Sequence, residues 1–196
     1  MADPLALLND HAHLEKKAGS NALELLNRWP LDSAAQRTIA ETNGEDDLTV
    51  QWVQTMTAVA KDEIDHLGTV LRIIFRRGGR FTKSHGNAYA RELRNLVRAG
   101  RGPDELLDRL IVSALIEARS CERFEVLGEH CADDELRRLY RDLANSERGH
   151  FTVFLNLARR LPGKLDVDGR WAFYLEAESG IIQKQDPGPR MHSGVP

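Results

Sequence analysis

Four long stretches of the chain place apolar residues three and four positions apart, the spacing of one helix face, and each stripe is interrupted near its middle by a glutamate. The first, roughly residues 4 to 29, runs Leu8, Ala12, Glu15, Ala18, Ala22, Leu25 and Trp29, with Pro30 as a stop. The second, roughly 48 to 76, runs Trp52, Met56, Val59, Glu63, His66, Val70 and Ile73 and closes at Gly78 and Gly79. The third opens at Gly102 and Pro103 and reads Leu107, Leu110, Ala114, Glu117, Cys121 and Phe124. The fourth starts from a cap at Asp133 or Asp134, reads Leu136, Tyr140, Leu143, Glu147, His150, Phe154, Leu157 and Leu161, and ends at Pro162 and Gly163. No useful length of chain alternates with period two, so the fold class is all-α.

An ionised carboxylate cannot be buried without compensation, and no Lys or Arg shares these four stripes. Cations must supply it. A histidine follows the glutamate by three positions in the second and fourth stripes, Glu63 with His66 and Glu147 with His150. Residues three apart share a helix face, so each pair offers a carboxylate and an imidazole to one side. Two such pairs plus Glu15 and Glu117 make six ligands for two metal ions, the inventory of a ferritin-like di-iron or di-manganese four-helix bundle. Hard oxygen donors with two nitrogens argue against a thiolate zinc or copper(I) site, and iron suits oxygen chemistry better than manganese. The two Glu-x-x-His matches are weak evidence by themselves. Their position inside apolar stripes makes the signal specific.

The remaining polar and aromatic candidates weigh less. His11 lies near the face of Glu15, where a ligand-supporting role is open, but a capped or solvent-facing histidine is the expectation. Cys121 reads as a small buried hydrophobe, and Glu122 and Glu125 as partners of Arg119, Arg123 or solvent. Trp52, Phe124, Tyr140 and Phe154 read as core. Cys121 and Cys131, ten residues apart along one helix, are roughly 15 Å apart at the helical rise and cannot bridge.

The chain reads as one domain over residues 1–196, a bundle at about 4–161 followed by an extension at 162–196. About eighteen residues join the first two helices, and some 27 separate the second from the third, enough to cross the length of a bundle. This crossover has its own short helical pattern in Tyr89, Leu93, Leu96 and Val97. The extension carries a fifth helical pattern in Trp171, Leu175 and Ile182, and a tail from Asp186 to Pro196 that packs on the bundle or frays from it. No window approaches the eighteen apolar residues of a membrane span, and residues 1–10 lack the basic flank and apolar core of a signal peptide. A cytoplasmic protein without a membrane partner is expected.

The formal net charge is only −3, but it is unevenly spread. Between Arg72 and Arg101 stand nine basic residues and the single acid Glu92, so this segment carries +8 and the remainder −11. A solvated connection and a site for a polyanion are both open readings.

The strings DHAHLEKKAGSNAL around Glu15, AKDEIDHL around Glu63 and His66, LIEARSCERF around Glu117, SERGH around Glu147 and His150, and the closing RMHSGVP resemble the MiaE family of tRNA hydroxylases. Glu-x-x-His pairs are shared with rubrerythrins, ferritins and quinone-ring hydroxylases; EARSCERF and the terminal MHSG point to this family. The resemblance spans nearly the whole chain and implies a non-haem di-iron site, oxygen as co-substrate, an external electron donor with its redox partner, and a tRNA anticodon loop carrying 2-methylthio-isopentenyladenosine. It also implies that Glu63 and Glu147 bridge the irons, with Glu15, Glu117, His66 and His150 as terminal ligands. Under this reading Arg76, Arg77, Arg80, Lys83, Arg91, Arg94, Arg98 and Arg101 face the tRNA phosphates, while the prenyl group enters an apolar tunnel. The alternatives are ferritin- or rubrerythrin-like iron oxidation and storage, which requires cage assembly, and an RNA-binding bundle whose carboxylates are structural.

Overall fold

The computed structural model describes residues 3–29 and 45–193. Among them six helices and no strand are found: α1 (Pro4–Leu26), α2 (Glu45–Arg76), α3 (Ala88–Arg94), α4 (Pro103–His130), α5 (Asp134–Arg160) and α6 (Val167–Gln183). Side-chain caps set several starts. Asp3 accepts the Ala6 amide at 2.9 Å, Asn87 that of Ala90 at 3.0 Å, and Asp133 those of Glu135 and Leu136 at 3.1 Å. Pro103 begins α4 after Gly102, whose positive φ of 54° suits only glycine well. Gly78 at φ 74° ends α2, letting the Gly79 amide return to the Ile74 carbonyl at 2.9 Å. Helix α1 stops at Leu26, three residues before the expected end, and Pro30 with most of the connection to α2 lies outside the described residues.

Helix α1 packs along α2 and α4 along α5, with α2 meeting α5, as in a ferritin-like four-helix bundle. Gly19 permits the close approach of α1 and α2, since a Cβ there would lie 3.4 Å from Glu63 Cβ. The interior is two apolar cores rather than one. Trp52, Met56, Leu107, Leu110 and Phe154 belong to one, and Leu8, Val70, Phe124, Leu136 and Tyr140 to the other. Every bundle helix contributes to both, and on each the glutamate of its stripe falls between the two sets. Burial of these side chains at roughly 25 cal/mol per Å² holds the polar layer in place from both ends.

The crossover, residues 77–102, holds the short helix α3, which buries Tyr89, Ala90 and Leu93. Helix α6 also forms, with a register different from the expected one. It buries Tyr174, Glu178 and Ile181 and leaves Leu175 exposed, because Arg119 of α4 neutralises Glu178 through two hydrogen bonds of 2.9 and 2.8 Å. The tail packs on the bundle, with Met191 and His192 buried; the last three residues of RMHSGVP lie outside the described residues. None of the described helices is long and apolar enough to cross a membrane.

Candidate metal centre

The side chains of Glu15, Glu63, His66, Glu117, Glu147 and His150 converge between the two apolar cores. Glu15, Glu63, His66 and Glu147 bring one ligand atom each within 4.8 Å of one another, and Glu63, Glu117, Glu147 and His150 do the same. Glu63 and Glu147 belong to both groups. His66 Nδ1 stands 3.6 Å from Glu15 Oε2, 3.8 Å from Glu63 Oε2 and 3.5 Å from Glu147 Oε1. His150 Nδ1 stands 2.8 Å from Glu63 Oε1 and 3.6 Å from Glu147 Oε2. Thus each imidazole faces the shared pair, with Glu15 and His66 completing one group and Glu117 and His150 the other.

The donor set fits two divalent cations. Both carboxylate oxygens of Glu63 and Glu147, and the Nδ1 atoms of His66 and His150, are buried with no well-aligned hydrogen bond, only contacts to one another, an arrangement too costly to keep in a fold unless something else satisfies it. Four carboxylates this close also repel. Burial and the charge of Glu15 push Glu63 up to about 8, despite contacts from the two imidazoles. Burial, then the charges of Glu147 and Glu63, hold Glu117 well above the usual carboxylate range. Burial opposes ionisation of Glu147 too, but His150, His66 and the proton of Glu117 overcome it and hold Glu147 low. The imidazoles compensate in the same way: burial alone would lower them, yet the carboxylates raise His66 to about 12 and His150 to about 10. Without cations, protons perform the neutralisation that metal ions would perform.

Around this cluster the structure corrects one expectation. His11 is fully buried rather than capped or solvent-facing, and its Nε2 donates a short hydrogen bond to Glu15 Oε1. Burial lowers the imidazole to about 4, so the ring is neutral and acts as a donor that orients the carboxylate. The His-x-x-x-Glu spacing is the signal that could have found it. On the outer side, Asp62 Oδ2 lies 3.5 Å from His150 Nε2. Cys121 is a buried thiol facing the Ala144 carbonyl, Glu122 pairs with Arg119, and Glu125 pairs with Arg148 rather than with Arg119 or Arg123.

Residues 2–193 match the family described as tRNA-(MS[2]IO[6]A)-hydroxylase (MiaE). The chain belongs to the MiaE family. It is 39% identical over its whole length to the tRNA 2-(methylsulfanyl)-N(6)-isopentenyladenosine(37) hydroxylase of Pseudomonas putida, covering 86% of that protein. It is 29% identical to the Salmonella typhimurium protein of the same name, with 97% of this chain and 80% of that one aligned. Among solved structures it resembles a Synechococcus protein with aldehyde deformylating oxygenase activity, with a TM-score of 0.80 and 31% identity over 98% of this chain and 89% of that one.

In this MiaE-family protein a cavity of about 50 Å³ reaches the cluster, several times the roughly 10–15 Å³ that one water needs. Glu15, Glu63, Glu117 and Glu147 form its floor, Leu14, Val112, Ile116 and Phe124 its apolar walls, and Lys17, Asn21 and Arg94 polar positions along it. Asn87 and Ala90 place the crossover against the same cavity. The eight basic residues divide into two sets. Arg76 and Arg77 are paired with Glu135, Arg77 also grips Asp133 at 2.6 and 3.0 Å, and Arg98 grips Asp108 at 2.9 Å and Asp104 at 2.8 Å. Arg77 and Arg98 tie the crossover to the bundle, and Arg76 joins the end of α2 to α5. Arg80, Lys83, Arg91, Arg94 and Arg101 are exposed, with no ion pair among the described residues.

Proposed function

We propose that the protein hydroxylates the isopentenyl group of 2-methylthio-isopentenyladenosine beside the tRNA anticodon, using two iron ions, oxygen and electrons from an external donor. The observation that carries this reading is the junction of a six-residue carboxylate and imidazole cluster with an apolar cavity ending on it. Family membership supplies the substrate class.

Glu63 and Glu147, which belong to both groups of ligand atoms, would serve both ions; Glu15 with His66 would complete one set of ligands and Glu117 with His150 the other. Iron held there would supply activation of oxygen, one atom entering a carbon–hydrogen bond and the other leaving as water with two electrons from the external donor and two protons. His11 fixes the Glu15 carboxylate by donating from Nε2. The walls formed by Leu14, Val112, Ile116 and Phe124 favour a branched hydrocarbon chain over water, and so position the prenyl carbons above the carboxylate floor. The anticodon loop is single-stranded, so its base can be turned outward while flanking phosphates meet cations. Arg80, Lys83, Arg91, Arg94 and Arg101 are the basic residues free to do this. Arg76, Arg77 and Arg98 serve the fold instead.

The test is nucleoside analysis of tRNA before and after incubation with iron-loaded protein, reductant and oxygen. Gain of one oxygen on the prenylated adenosine is expected, and an unaltered nucleoside with fully loaded protein ends the proposal. In the same assay, reversing Arg80, Lys83 and Arg91 to Glu should raise the tRNA concentration needed for half-maximal rate at least tenfold and leave iron content unchanged.

A further inference from the structure

We propose that His192, in the C-terminal tail, is a positioning residue for substrate recognition: it fixes the cavity wall formed by Asn87 and Ser120, and so ties preference for a prenylated base to the tail. The inference rests on the cavity being the substrate site, as argued above.

The tail is anchored on both sides of His192. Asp10 Oδ2 accepts the Met191 amide at 2.8 Å, and Arg123 donates to the Arg190 carbonyl at 3.2 Å and to Ser193 Oγ at 3.1 Å. Between these anchors the imidazole turns inward, 5% exposed, and lies against Tyr89 with ring centroids 4.6 Å apart. Both ring nitrogens face partners. Asn87 Nδ2 donates to Nδ1 at 3.2 Å, which leaves Nε2 protonated to face Ser120 Oγ at 3.5 Å. Burial lowers the ring to about 4, so it is neutral and Nδ1 can accept.

The two partners belong to different elements, and both line the cavity. Asn87 caps α3 through Oδ1, while Ser120 follows Glu117 on α4. His192 is therefore a strut behind the wall where the crossover meets the bundle. Tyr89 completes it, its hydroxyl donating to Glu178 at 3.1 Å, a carboxylate also held by Arg119. Here the strings EARSCERF and RMHS meet in space: Arg119, Ser120 and Arg123 of the first face α6 and the tail. None of these three ligates in the reading above, and support of the wall gives them a shared task. Removing the ring deprives Asn87 of its acceptor and lets the first turn of α3 shift. The exposed arginines do not touch His192, so attraction of the phosphates should survive.

The experiment uses the iron-loaded full chain without reductant. Equilibrium binding is measured to two synthetic anticodon stem-loops, one carrying 2-methylthio-isopentenyladenosine and one plain adenosine, together with amide hydrogen exchange. His192→Ala should lose about five- to tenfold of the preference for the modified loop, the worth of a positioned hydrogen bond. Its binding of the plain loop should stay within about twofold, its iron content should be unchanged, and exchange should accelerate over residues 85–94 but not in α1 or α2. His192→Asn, whose Oδ1 can replace Nδ1 as acceptor, should recover most of the preference. Wild-type preference and exchange in His192→Ala would overturn the proposal, as would an equal loss for both loops. Should His192→Ala not fold, His192→Phe decides, since it keeps a ring against Tyr89 but offers Asn87 no acceptor and must show the same lost preference. If the unaltered protein does not prefer the modified loop, the functional reading fails, and the exchange of residues 85–94 alone decides whether His192 holds the wall.

Discussion

His11 sits one helical turn before Glu15, so its ring covers the same face and reaches the carboxylate that the stripe exposes to the cluster. Removing it would leave a buried carboxylate held by nothing but its neighbours. His11→Ala should weaken iron binding at the Glu15 and His66 half by about 10- to 100-fold, the usual cost of losing a ligand's supporting hydrogen bond. Titration with ferrous ion under anaerobic conditions measures this, and His11→Gln, which retains a donor, should lose less. Unequal loss at the two halves is the expected signature. The six converging residues were legible in the sequence because each breaks an apolar stripe, where a charged group is costly enough to demand a reason. His11 breaks no stripe. Its burial depends on Phe124 and Tyr140 packing over it from α4 and α5, with ring centroids 5.0 and 5.6 Å away, and a local pattern contains no such information.

Helices could be read from periodicity and caps, but their attachments could not. Asp108 on α4 is an example: its side chain is fully buried, yet it accepts from the Arg98 amide and guanidinium at 2.9 Å and from Arg170 of α6 at 2.7 and 3.0 Å. One carboxylate therefore binds the crossover and the sixth helix to the bundle. Arg77 does similar work against Asp133 and Glu135, which is why a run of basic residues legible as one patch divides into fold-holding and free members. Asp108→Ala should cost about 3 kcal/mol, the low end for breaking a buried pair because Arg98 remains partly open to solvent. The acid dependence follows from the carboxylate. Burial opposes its ionisation, but the two arginines overcome this and hold it below its ordinary value of 3.8. A depressed folded value means the stabilisation is fully present above the ordinary value and fades as pH falls through the folded one. Urea midpoints of wild type and variant should therefore converge below about pH 3.8 and stay apart above it.

At the scale of the whole molecule the bundle is two apolar cores separated by a layer of four carboxylates and two imidazoles, and its stability depends on what neutralises that layer. Without cations the layer is held together by protons, with Glu63 raised to about 8, His150 to about 10 and His66 to about 12. All three values lie above those of the unfolded chain, so the folded metal-free protein binds the extra protons. Linkage then requires its stability to fall as pH rises, first between the ordinary Glu value of 4.5 and 8, then from the ordinary His value of 6.5 upward. Iron bound at these six side chains would take the place of those protons and release them, which would remove this slope. The difference in thermal midpoint between iron-loaded and chelator-stripped protein should therefore widen steadily from pH 6 to pH 8.5 under anaerobic conditions. Calorimetric titration of the stripped protein in buffers of different ionisation enthalpy should show net proton release that accompanies metal uptake. A constant difference in midpoint, with no proton release, would mean that the six side chains are neutralised in some other way and that the layer is not a cation site.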